Sequence, residues 1–139
     1  MRGIARRREK EATILVILYE HIVRNILVRI LSAKGYKLVT ASIGLDGIRK
    51  FEKGKGKFDL VMVAVRLPSI SGLNVAKKIK EIDQDTPVML IKEWDKELDT
   101  KELKASGVEF LLSTPFHMDT TLNLVEKAIN LAARSNNES

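Results

Sequence analysis

The chain has 139 residues, 45% of them hydrophobic, which suits one compact domain with an adequate core. It carries no cysteine, which excludes disulfides and thiolate metal sites. The net charge is +6, and half of it comes from Arg2, Arg6, Arg7, Arg8 and Lys10 set against Glu9 and Glu11. Residues 1–11 therefore read as a flexible basic arm, ahead of a domain at 12–134 and a polar tail at 135–139.

The basic arm runs into Ala12 to Tyr19, which superficially resembles a secretory leader. That apolar run lasts only about eight residues, charged Glu9 to Glu11 interrupt its approach, and no small-residue cleavage site follows. It also falls far short of the ~20 residues that span a bilayer. Thr13 to Tyr19 is expected to be the first strand of a cytoplasmic protein with no membrane insertion. Ile22, Val23, Ile26, Leu27, Ile30 and Leu31 then recur at three- and four-residue spacing, an amphipathic helix that Gly35 is placed to cap. Tyr36 to Thr40 is a short second strand. Gly44 to Lys53 is a second helix carrying Leu45, Ile48 and Phe51 inward, closed by the turn from Gly54 to Lys57.

Leu60 to Val65 is a continuous apolar run without alternation, the pattern of a strand buried on both faces of a parallel sheet. Pro68 and a Ser/Gly-rich turn end it, and a third helix follows from Gly72 to Ile82. Asp85-Thr86-Pro87 turns into a fourth strand, Val88 to Ile91. Asp95 to Ser106 predicts a helix with a thin apolar face, Leu98, Leu103 and Ala105, and so the least firmly held one. Gly107 caps it, and Glu109 to Leu112 is the fifth strand. Asp119 is a candidate N-cap for a last helix lined by Leu122, Val125, Ile129 and Ala132.

Five strands alternating with five helices through short loops define an α/β fold, a parallel sheet wound on both faces. Sites in such folds form at the carboxyl ends of the central strands, which directs attention to Ala64 and its neighbours. Periodicity alone leaves the two common strand orders open.

The stretch from Asp59 through Leu67, Pro68 and Gly72 resembles the third strand and following loop of the receiver domain of bacterial response regulators. Gly35-Tyr36, Ala41 to Ile48, Thr86-Pro87-Val88, Gly107-Val108-Glu109 and Pro115-Phe116 extend the resemblance from about Thr13 to Ile129. It implies a flavodoxin-like sheet in the order 2-1-3-4-5 and a cis peptide before Pro115, an isomer that an X–Pro bond holds cheaply. It also implies phosphorelay chemistry: an aspartate nucleophile, Mg²⁺ held by acids, a lysine for the phosphoryl anion, and a switching hydroxyl.

At the matching positions this sequence has Ala64 for the nucleophile and Leu18 and Tyr19 for the acidic pair. Lys92 takes the place of the hydroxyl, Thr114 that of the lysine, and Leu111 that of the rotating aromatic. Glu20 alone matches an acid that often follows the pair. The pattern resembles a degenerate receiver, a pseudo-receiver that is not an enzyme and needs no cofactor or metal.

The function expected is a phosphorylation-independent signalling and interaction module, an atypical response regulator with a protein partner or a second copy of itself. Two alternatives stand beside it: phosphorylation at a non-standard residue, and nucleic-acid contact through the basic arm. No helix-turn-helix or stacking-aromatic pattern supports the latter. Lys92 and Glu20 lie at neighbouring strand ends and are expected to approach one another. Trp94 and Leu111 are candidate interface residues, although a lone loop tryptophan more often packs against its own helix. Ser69 and Ser71 read as turn formers, and His21 and His117 as surface residues.

Overall fold

The computed structural model describes residues 12–138, and side chains as far as Leu131; the basic arm at 1–11 lies outside the described residues. The elements alternate: β1 (Thr13–Ile17), α1 (His21–Ala33), β2 (Lys37–Ala41), α2 (Gly44–Lys53), β3 (Leu60–Ala64), α3 (Gly72–Ile82), β4 (Val88–Glu93), α4 (Thr100–Ser106), β5 (Phe110–Thr114) and α5 (Met118–Glu138). All strand pairs are parallel, in the order β2-β1-β3-β4-β5. This is the flavodoxin-like order. The last helix takes in residues expected to form the polar tail.

Strand periodicity divides the core in two. Ile14, Val16, Leu60, Met62, Met89 and Ile91 face α1 and α5, meeting Leu27, Leu31, Val125 and Ile129. Their alternates Leu15, Ile17, Val61, Val63, Val88 and Leu90 face the other way, against Ile48 and Phe51 of α2 and Val75 and Ile79 of α3. β3 is buried along its whole length, as its unalternating sequence requires. Gly72 is forced by close approach: a Cβ there would lie 1.8 Å from the Ala64 carbonyl oxygen, so α3 starts tight against the end of β3. Ser69, at φ 70, makes the intervening turn, and the Ser71 hydroxyl caps α3 by accepting from the Asn74 N–H at 3.3 Å.

Several boundaries differ from expectation. α4 begins only at Thr100, because the Asp99 carboxylate accepts from the Lys101 and Glu102 amides and sets the first turn there; residues 95–98 stay in the preceding loop. Asp119 is not a cap. The His117 carbonyl closes the first turn of α5, and Asp119 lies inside it, where the positive helix end suits an acid. In α1 only Leu27 and Leu31 are fully buried, with Val23 half-buried, one row at i, i+4 and i+8. Ile22 (73% exposed) and Ile26 (47%) face outward rather than inward, since each sits one residue, about 100°, away from that row. Leu45 is likewise 60% exposed.

Candidate functional site at the strand ends

Four strands deliver their carboxyl ends to one cleft of about 280 Å³. Leu18 follows β1, Ala64 ends β3, Lys92 lies near the end of β4 and Thr114 ends β5; all four line it, together with Glu20. Five of the six residues singled out from the sequence therefore meet. The sixth, Tyr19, does not join them and is 58% exposed.

The floor is apolar. Leu18 (3% exposed) and Ala64 (6%) belong to the core cluster under α1 and α5, beside Ile91. The Leu18 amide donates to the Ala41 carbonyl at 2.9 Å, which carries the β1–β2 contact one residue beyond the strand proper. Arg24, which carries no sequence signal, reaches back from α1 and donates to the Leu18 carbonyl at 2.8 Å and the Tyr19 carbonyl at 3.4 Å. It fixes the turn that displays Tyr19 and Glu20.

The expected approach of Lys92 to Glu20 is not made. The Lys92 ammonium instead donates to the Glu93 carbonyl at 3.0 Å and the Lys96 carbonyl at 2.8 Å, both in its own loop. Loop carbonyls are nearer along the chain, and they offer a buried-edge cation acceptors without the entropy of ordering an exposed glutamate. Arg66 and Glu93 form an ion pair at 2.9 Å on the rim, where both side chains are largely solvated and the pair contributes only ~0–1 kcal/mol.

A second hollow opens on the β5 side, lined by Trp94, Leu111, Pro115 and Leu124 among others. Trp94 is 72% exposed, so it does not pack against its own helix, and Leu111 is 41% exposed. Met118 is another exposed apolar residue at the start of α5. The peptide between Thr114 and Pro115 is cis, as the resemblance implied.

A five-stranded doubly wound sheet with its cleft at the central strand ends is the architecture of the receiver class. The response regulator receiver domain family matches residues 14–126, and the chain belongs to that family, the receiver domains of two-component signalling. It is 29% identical over 115 residues to the uncharacterized transcriptional regulatory protein YcbL of Bacillus subtilis, covering 83% of this chain and 50% of that protein. The chain thus spans about half the length of the transcriptional regulators it matches first. A response regulator receiver domain protein from Clostridium thermocellum superposes with a TM-score of 0.76 at 26% identity, over 91% of this chain and 97% of that one. The CheX-CheY-BeF3-Mg+2 complex from Borrelia burgdorferi matches with a TM-score of 0.77 at 20% identity, over 84% and 87%.

The family implies a bound Mg²⁺, and the residues present do not fit one. Leu18, Tyr19 and Ala64 offer no anionic side-chain oxygen. Of the acids that do line the cleft, Glu20, Glu93 and Glu97, Glu93 is engaged by Arg66, and Mg²⁺ asks for carboxylates placed together in octahedral geometry. Among the described residues, no group of three His, Cys, Asp or Glu side chains is placed to hold a metal. Among them, too, no helix is long and apolar enough to cross a membrane.

Proposed function

We propose that this receiver domain is a degenerate one, a signalling interaction module whose partner binding does not depend on phosphorylation at the strand ends. One observation carries the reading: Leu18, Ala64, Lys92 and Thr114 converge on a single cleft whose floor is continuous with the hydrophobic core. A methyl group cannot attack phosphorus. Glu20, Glu93 and Glu97 line the cleft, but among the described residues no three such acids are grouped to hold a metal against phosphoryl charge, and no lysine stands before Pro115 to pair with the product anion. The domain therefore performs no group transfer and acts through its surface.

That surface is the exposed apolar side around β5, where Trp94, Leu111 and Met118 stand out of the fold. Aromatic and long aliphatic side chains of this kind anchor protein interfaces. A structural neighbour of receiver fold is itself solved in complex with another protein, which supports the reading of a protein partner. The test is intact-mass spectrometry of the chain after incubation with acetyl phosphate and Mg²⁺. The expected result is no added phosphoryl mass; a stoichiometric gain on the parent protein would overturn the proposal.

A further inference from the structure

Lys92 occupies the end of β4, paired with Ser113 of β5, and its side chain turns back over the loop that leads to α4. An ammonium has three donors, and two of them are spent on the Glu93 and Lys96 carbonyls. These hydrogen bonds bracket the turn that carries Trp94. Two backbone bonds complete it: the Lys96 amide donates to the Glu93 carbonyl at 3.1 Å, and the Trp94 amide to the Thr114 carbonyl at 3.2 Å. The Arg66–Glu93 ion pair ties the same turn to the end of β3.

We propose that Lys92 is a latch: its ammonium holds the β4–α4 loop, and with it Trp94, in one arrangement that does not wait for any ligand at the strand ends. A short hydroxyl at this position could not span both carbonyls. A lysine reaches them and brings full charge to the bond, the stronger class of hydrogen bond. Trp94 is then displayed permanently rather than on a signal. The regulatory sense of the latch rests on the phosphorylation-independent reading above, while its geometry does not.

The chain has a single tryptophan, so Trp94 reports on its own loop. Lys92→Met keeps the reach of the side chain and removes its donors. In that variant the Lys96 amide should exchange with solvent about tenfold faster or more, and the Trp94 fluorescence anisotropy should fall, while far-UV circular dichroism is unchanged. Lys92→Gln retains a neutral donor and should give a smaller rise in exchange, which keeps the proposal testable if the Met variant does not fold. Exchange within about twofold of the parent and unaltered anisotropy in a folded variant would overturn it. No phosphodonor is present in these measurements. A parent chain that takes up phosphate would thus defeat the proposed function and leave the latch to be judged on exchange and anisotropy.

Discussion

Ala64→Asp places a carboxylate where the resemblance to receivers puts the nucleophile, and the structure gives reasons to expect harm without gain. Ala64 is 6% exposed and sits on a floor shared with Leu18 and Ile91, each 3% exposed. Lys92, a cation lining the same cleft, already serves two loop carbonyls and would have to release them to pair. Burying a polar group without a full set of partners costs about 1–3 kcal/mol by mutational measure, and a charge lies at the upper end. The open side of the cleft admits water, which keeps the loss near 2–3 kcal/mol rather than higher. For a chain of this size roughly 3–5 °C is lost per kcal/mol, so the melting temperature should drop by roughly 6–15 °C. Ala64→Asn adds similar volume without charge and should lose less. Incubation of the Asp variant with acetyl phosphate and Mg²⁺ should add no phosphoryl mass. On the degenerate reading, the metal ligands are still missing at Leu18 and Tyr19, and the lysine at Thr114. Reactivity should need Leu18→Asp, Tyr19→Asp, Lys92→Thr and Thr114→Lys as well. A clean phosphoryl gain on the single Asp variant, or a melting temperature equal to that of the Asn variant, would refute this reasoning.

In titration with MgCl₂, the amide NMR signals of Leu18 and Ala64 should not move saturably in the millimolar range; a saturating shift centred there would contradict the reading of the donor set. Lys80 is 13% exposed, donates to the Gln84 and Thr86 carbonyls and to the Glu109 carboxylate, and Glu109 in turn accepts from the Val88 amide. Lys80→Met should therefore lower stability by about 2–3 kcal/mol in urea titration, and a loss under about 0.5 kcal/mol would show the network to be ornamental. Gly72→Ala forces a methyl group against the Ala64 carbonyl and should cost about 2 kcal/mol or more; wild-type thermal stability in that variant would mean that α3 shifts freely on β3.

Much of the fold was legible because its signals are local and repeated. Leu60 to Ala64 cannot be read as an edge strand, and Gly35 and Gly107 stand at positive φ just past helices, where a side chain would be strained. The positions that converge on the cleft were legible too, since a parallel sheet brings all its strand ends to one side. What stayed hidden depends on choices among near-equivalent contacts. Lys92 had glutamate and carbonyl acceptors within reach, and its chain neighbours won. Ile22 and Ile26 fit a helical stripe as well as Val23 and Leu27 do, and only the seating of α1 on the sheet decides which row goes in. Arg24 looked like any solvated helix arginine; its carbonyl partners exist only once the β1–α1 turn is formed.

Leu18 and Ala64 count among the buried members of one core cluster, so the lining of the cleft and the top layer of the interior are the same atoms. This has a consequence for how the sequence can change. Any path that installs carboxylates here one at a time must first put an uncompensated charge into the packed layer, before the metal or lysine that would offset it exists. Each such intermediate is expected to lose stability, and a chain with the usual few kcal/mol in reserve cannot hold several such steps at once. On the degenerate reading, the apolar floor would act as a ratchet: easy to reach by single substitutions that relieve charge, and hard to leave by the same route.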